Sequence, residues 1–215
     1  MQLAIFDLDG TITWRDSFVP YLCGFLLRHP ARALRLWRVP GPLLAYVFCG
    51  ADRGRLKESL LMIFLGGVER SQLAHWTEIF VERLLGRRLR SAALERIREH
   101  RASGDRLILL SASPDLYVEA IGRRLGFDET VATGVRWNGE RLDGRLTTVN
   151  RRGTEKVRCL DELKARHSGL RTVAYANSTS DLDHLSRADE GWLISDRPGL
   201  LKRGAALGLK TASWR

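Results

Sequence analysis

Two carboxylates, Asp7 and Asp9, stand two residues apart directly after the apolar run Leu3-Ala-Ile-Phe6. In extended backbone, alternate residues share a face, so the two charges crowd each other. At ~4 Å, like charges cost about 4 kcal/mol at an effective dielectric of 20. Such a pair binds a cation or shares a proton, and magnesium suits hard oxygen ligands of this kind. A turn holding two solvated acids would have the same spelling, so the rest of the chain has to decide. Ser111 closes the apolar run Leu107-Ile-Leu-Leu110, and Asn177, with Asp181 beyond it, follows Thr172-Val-Ala-Tyr175. Each polar cluster therefore sits just past an apolar segment.

Those segments are short and bounded by turn residues, as buried strands are. Between them the spacing predicts helices. Leu73, Trp76, Phe80 and Leu84 recur at helical intervals within a mainly helical region from Asp16 to about Leu85, broken at Pro30, Pro40, Pro42 and Gly66-Gly67. Further helices are expected over 91–102, from Pro114 to Leu125, over 153–166 and from Asp181. Val131 to Thr147 reads as strands around the turn pairs Asn138-Gly139 and Asp143-Gly144, with Trp192-Leu-Ile194 as the last strand. Strands alternating with helices give an α/β fold, a Rossmann-like, doubly wound parallel sheet, with a helical segment inserted after the first strand. Residues 1–15 and 86–215 would form the core and 16–85 the insertion. In such sheets ligands bind at the carboxyl ends of strands, where Asp7, Ser111 and Asn177 would converge.

Phe6-Asp-Leu-Asp-Gly-Thr-Ile12 behind a buried strand resembles the first motif of the haloacid dehalogenase superfamily. Ser111 matches its second motif, Lys156 in Arg152-Gly-Thr-Glu-Lys156 its third, and Ala176-Asn-Ser-Thr-Ser-Asp181 its fourth, in order across nearly the whole chain. The resemblance implies a Mg2+-dependent phosphatase. Asp7 would be the nucleophile, Asp9 the general acid and base, and Ser111 and Lys156 the holders of the phosphoryl oxygens and their charge. Asp7, Asp9 and Asn177 would be the metal-binding residues, with Asp181 orienting metal-bound water or pairing with Lys156. Asn177 departs from the family, which carries an acid there; an amide oxygen still ligates magnesium, with one less charge.

The place of the insertion resembles the phosphoserine phosphatase-like branch. There Asp16 is either an acid near the substrate or the cap of a helix. The stretch Leu56 to Ile63 offers no arginine after Ser59, which lowers phosphoserine as the substrate. The interval from Ser17 to Ala51 contains Arg28, Arg32, Arg35 and Arg38 but no acid, among aromatic and aliphatic residues. No charge-free run is long enough to span a bilayer. The mixture suits a membrane interface, or else an internal core of the insertion with arginines outside. The chain also looks like the subgroup containing phosphatidylglycerophosphatase C, which favours a phospholipid or other amphiphilic phosphate ester over a small soluble one.

Composition leaves several partners open. A formal net charge of +10 draws the chain to anions: a phosphorylated substrate, an anionic membrane or nucleic acid. No recognition helix, zinc finger or RNA-binding signature supports nucleic acid, although a basic binding protein with a disabled site has the same charge. Cys23, Cys49 and Cys159 are odd in number and far apart, which argues against a disulfide framework or zinc. With no signal-peptide pattern before Leu3, a cytoplasmic location is expected, peripheral to the inner face of the membrane if the insertion meets lipid.

Overall fold

The computed structural model describes residues 1–50 and 52–214; Ala51, where the acid-free interval ends, lies outside them. The first strand, β1 (Gln2–Phe6), occupies an inner position of a parallel six-stranded sheet. Its neighbours are β2 (Arg106–Pro114) and β6 (Arg171–Ala176). Beyond β2 lies β3 (Glu129–Thr133), and beyond β6 lie β7 (Glu190–Ile194) and β8 (Lys210–Ala212), giving the order β3-β2-β1-β6-β7-β8. Each pair is parallel.

Side-chain alternation along β1 builds the two faces. Ala4 and Phe6 join one apolar cluster, with Leu107 and Leu109, against α5 (Ser91–Ala102) and α6 (Asp115–Leu125). Leu3 and Ile5 join the other, with Ile108 and Leu110, against α7 (Thr154–Arg166), α8 (Leu182–Arg187) and α9 (Pro198–Ala206). A sheet covered on both faces needs strands that are apolar throughout, as β1 and the start of β2 are.

After β1 the chain departs into α1 (Phe18–Arg28), a 3-10 helix (Pro30–Arg38), α2 (Pro40–Phe48), α3 (Arg53–Leu65) and α4 (Arg70–Arg87). It returns beside its point of departure, where Thr13 pairs with Leu89 and Trp14 N–H donates to Arg88 O. Leu73, Trp76, Phe80 and Leu84 are all buried along one side of α4.

Three expectations are corrected. Asp143-Gly144 is not a turn: it lies within β5 (Arg141–Leu146), which pairs with β4 (Val135–Asn138) as a hairpin closed by Gly139 and Glu140. Gly144 is glycine for another reason. It has φ 91°, and a Cβ there would lie 2.9 Å from the Met62 backbone nitrogen, because the hairpin packs on α3. Trp192 to Ile194 does not end the sheet, because β8 follows; only three residues long, with two exposed, it carries no apolar run to betray it. The apolar side chains of the acid-free interval do not form one core. Phe18, Tyr21, Leu22 and Phe25 are buried, whereas the 3-10 helix and α2 bury no residue at all.

Candidate active site

Past Phe6 the chain makes one wide turn over Leu8–Ile12, in which Gly10 takes φ 82°. A Cβ on Gly10 would sit 2.1 Å from Asn177 Nδ2, so glycine is what lets the loop after β6 close over the loop after β1. The Thr11 hydroxyl lies 3.4 Å from both Asp7 Oδ2 and Asn177 Oδ1. Asp7 and Asn177 are thus brought together as the sequence predicts.

Lys156 projects from the first turn of α7 into the same place. Its Nζ donates to Asp7 Oδ1 at 2.7 Å and to Asp181 Oδ1 at 2.9 Å, and all three side chains are buried. Asp181 is fixed by its own turn, because Ser178 N–H and Oγ–H both donate to its Oδ2. One ammonium between two buried carboxylates leaves the row short of positive charge. Burial lifts the Asp7 carboxyl to about 7, against the pull of Lys156 and with a push from Asp181. For Asp181, burial also works upward, but Lys156, helped by His184 and the Ser178 bond, holds it down at about 2. Lys156 is disfavoured as an ion by burial, yet its two carboxylates carry it above the ordinary lysine range. His184, buried beside Asp181, is pushed down to about 3 by burial and by Lys156, so it is neutral.

Asp9 is arranged differently. Its Oδ1 accepts from Ser17 N–H at 2.8 Å and its Oδ2 from the Ser113 hydroxyl at 2.5 Å. Burial raises its pKa, the bonds from Ser113 and Ser17 oppose this, and Asp16 adds to it. Burial thus favours the protonated form of Asp9 while its two donors favour the carboxylate. Ser111 is not where the strand stops, as β2 runs on to Pro114; it is buried within the strand and accepts from Ser113 N–H through Oγ. It lies beneath the cavity wall, which Ala112 and Ser113 form. Ser113 is a residue that sequence reasoning missed, although Ser-x-Ser at a strand end places both serines on one face. Asp16 Oδ1 accepts from Phe18 N–H and Val19 N–H at the start of α1, as a helix-capping acid does, and the residue also lines the cavity.

The cavity has a volume of about 880 Å³. Asp7, Asp9, Lys156, Asn177 and Asp181 line it together with Trp14, Phe18, Tyr46, Leu56 and Leu60, which add apolar surface. Lys57 also lines it, from α3, donating to Ala112 O and, at 2.5 Å, to Asn150 Oδ1. Burial pushes the Lys57 ammonium down to about 8, with Asp9 and Asp16 pulling the other way and Arg152 and Arg53 adding to the descent. Nothing in the spelling of Leu56-Lys-Glu-Ser59 marks it, because an isolated helix lysine is ordinarily a surface residue.

Among the described residues no group of three or more His, Cys, Asp or Glu is placed to hold a metal. Asp7 and Asn177, whose side-chain oxygens both lie 3.4 Å from the Thr11 hydroxyl, would be the two hard donors available to hold a magnesium ion. Asp9 was expected as a third donor, but its carboxylate is turned toward Ser17 and Ser113.

This arrangement has counterparts. Residues 4–186 match the haloacid dehalogenase-like hydrolase family. Protein CicA of Caulobacter vibrioides (strain NA1000 / CB15N) is 35% identical over 189 residues, covering 87% of this chain and 83% of that protein. A protein of unknown function from Bordetella pertussis Tohama I has the same fold, with a TM-score of 0.83 and 25% identity over 100% of this chain and 99% of that one. A probable phosphoserine phosphatase from Vibrio cholerae shares the fold at TM-score 0.74 and 13% identity, over 100% of this chain and 61% of that one. With the matched residues running from β1 through α8 and enclosing every site residue described, the chain belongs to the haloacid dehalogenase-like hydrolase family.

Proposed function

We propose that this hydrolase is a magnesium-dependent phosphatase acting on phosphate monoesters through an aspartyl-phosphate on Asp7. The observation that carries the reading is the placing of two aspartates in opposite conditions at one cavity. Asp7 lies against an ammonium at 2.7 Å, while Asp9 lies against a hydroxyl and an amide. Ionised Asp7 attacks phosphorus, and the ester P–O bond breaks. Asp9 gives its proton to the departing alkoxide. Asp9 then takes a proton from the water that attacks phosphorus and frees Asp7. Lys156 offsets the repulsion between a carboxylate and an anionic ester, and Asp181 holds Lys156 in place. Ser111, whose Oγ accepts from Ser113 N–H, donates its own hydroxyl proton to a phosphoryl oxygen. Bound through Asp7 and Asn177, magnesium would supply Lewis-acid polarisation of the phosphoryl group. A solved phospho-aspartyl intermediate analogue of phosphoserine phosphatase has the same fold, with a TM-score of 0.68.

The segment 16–85 acts as a cap over this chemistry, and Asp16 as an acid near the substrate. The substrate is amphiphilic, a phospholipid of the phosphatidylglycerophosphate kind, reached from a cytoplasmic protein lying on the inner face of the membrane. Support comes from the cap's outer surface. Leu34, Trp37 and Phe48 are 81%, 79% and 76% exposed, in a stretch without acids, and Tyr46 of the same α2 lines the catalytic cavity. An apolar and basic surface of this kind suits anionic lipid. No described helix is long and apolar enough to cross a membrane. A small soluble phosphomonoester such as phosphoserine is the second reading, supported by the same cavity floor.

Magnesium-dependent phosphate release from p-nitrophenyl phosphate, lost in Asp7→Asn, tests the chemistry, and a beryllofluoride adduct on Asp7 locates it. Full activity in Asp7→Asn would end the reading, and salt-sensitive binding of nucleic acid without any phosphate release would replace it. Co-sedimentation with phosphatidylglycerol vesicles tests the surface: the unaltered chain should sediment and Trp37→Glu/Phe48→Glu should not. The arginines make poorer probes, because Arg32 and Arg35 are bonded to the carbonyls of Phe64 and Gly66 and hold the 3-10 helix in place.

A further inference from the structure

The chemistry above uses one cavity cation, Lys156. Arg15, Arg53, Lys57, Arg88 and Arg152 line the same cavity, and among the described residues none of them is ion-paired with a carboxylate. Elsewhere the arginines commonly are, as in Arg124 with Glu78 and Arg158 with Glu155. Three of these cations stand near one another across the cavity. Arg53 and Lys57 are one turn apart on α3, and Arg152 faces them from the loop before α7. Their repulsion is felt, since Arg152 and Arg53 both help to lower the pKa of Lys57. A second groove of about 590 Å³ shares Arg53, Asn150, Arg152 and Ser180 with the catalytic cavity, so these residues stand where one opens into the other. Like charges gathered at such a junction raise the energy of the empty site and lower it when an anion arrives.

We propose that Arg53, Lys57 and Arg152 form a subsite for a second phosphoryl group on the substrate, apart from the one transferred to Asp7. This rests on the phosphatase reading above. Two guanidinium groups and an ammonium exceed what a single carboxylate would need, and guanidinium forks match the paired oxygens of a phosphate. The second group is a diester or a monoester, carried either by a lipid headgroup or by a soluble bisphosphate. Because the α3 residues and Arg152 come from opposite walls, it also ties the cap to the core.

The test compares the bisphosphates of propane-, butane- and pentanediol with the matching alkyl monophosphates at constant ionic strength. After correction for the two equivalent ends, kcat/KM for at least one bisphosphate should exceed that for its monophosphate by about tenfold, the worth of two partly solvated charge-assisted contacts. In Arg53→Gln/Arg152→Gln the ratio should fall to about one. Equal kcat/KM for both classes, with turnover present, overturns the subsite and leaves the phosphatase reading intact. Calorimetric binding of the non-hydrolysable alkane bisphosphonates against monophosphonates gives a readout independent of turnover. Tighter bisphosphonate binding without hydrolysis of any ester keeps the subsite and ends the phosphatase reading. A short-chain lipid bearing a diester and a terminal monoester, run beside the soluble bisphosphates, distinguishes the two sources by which has the higher kcat/KM.

Discussion

Removing Lys156 should expose how much of the site's order rests on one ammonium. The Lys156→Met change keeps the length and packing of the stem but leaves Asp7 and Asp181 buried with no cation between them. At the observed 2.7 and 2.9 Å, each attraction is about 6 kcal/mol at an effective dielectric of 20. Most of that is offset by the cost of drying the three groups, so the expected net loss is about 3–5 kcal/mol at pH 8. The loss must depend on pH. Without Lys156 the folded-state pKa of both carboxyls rises. A raised carboxyl favours the folded state below its unfolded value of about 3.9, and that advantage is lost as pH climbs through the folded value. The stability gap to the unaltered chain should therefore be about 1–2 kcal/mol at pH 5 and widen toward pH 8. Because Asp7 is already lifted to about 7 in the unaltered chain, the gap, and not the variant's curve alone, isolates the lysine. Urea denaturation in EDTA across pH 5 to 8 measures it. A gap that stays constant with pH, or below about 1 kcal/mol throughout, would refute the account of a buried row held by one charge.

Three other outcomes are expected. Asn177→Asp should lower the half-saturating magnesium concentration by roughly tenfold, for one added charge at the metal, and should give a magnesium-dependent rise in Tm where the unaltered chain shows a smaller one. Gly10→Ala forces a side chain into positive φ and against Asn177 Nδ2, so kcat with p-nitrophenyl phosphate should fall by at least about tenfold while far-UV dichroism is unchanged. Asp115 is lifted to about 6, chiefly by burial, with Val135 N–H opposing and Glu119 adding, so its neutral form favours the folded state below about pH 3.9 and that contribution is lost as pH rises through 6. Asp115→Asn should then raise stability at pH 8 by about 1–2 kcal/mol and do nothing at pH 4, as read by urea midpoints.

The sheet and the convergence at its edge were legible because both rest on local signals. Apolar runs such as Leu3–Phe6 and Leu107–Leu110 have no other use in a folded chain, and a polar residue immediately after each must emerge at the strand's carboxyl end. Asp7 and Asn177 are brought together as that logic requires, whereas the places of Lys156 and Asp181 beside Asp7 were implied only by the family motifs. What was hidden depends on contacts between distant segments. Lys57 acquires its place only when α3 meets β2 at Ala112, and Ser113 only when β2 lies beside β1 and its hydroxyl reaches Asp9. Gly144 was misread for the same reason, because a glycine that admits the Met62 backbone has the same spelling as one that makes a turn. The acid-free interval was ambiguous because an apolar side chain bound for a core and one left on the surface have the same composition. Phe25 and Trp37 went opposite ways.

The paired neck at Thr13 and Leu89 has a bearing on how such a protein could change its diet. The chain leaves the sheet at Trp14 and rejoins it at Arg88 beside a single rung, so the stretch between can be exchanged at one seam without moving Asp7, although the Ser17 N–H that Asp9 Oδ1 accepts goes with it. The β4–β5 hairpin complicates the exchange. Gly67 N–H donates to Leu142 O, Leu142 N–H to Val68 O and Arg70 N–H to Glu140 O, so the helical segment is stitched by its backbone to a hairpin encoded much later in the chain. A chimera grafted at the neck alone would inherit the helical segment without its stitching. A graft that carries residues 135–146 along with 14–88 would bring both halves of the seam, and recombination that keeps those two distant stretches in partnership is the route by which a new substrate preference could be acquired in one step.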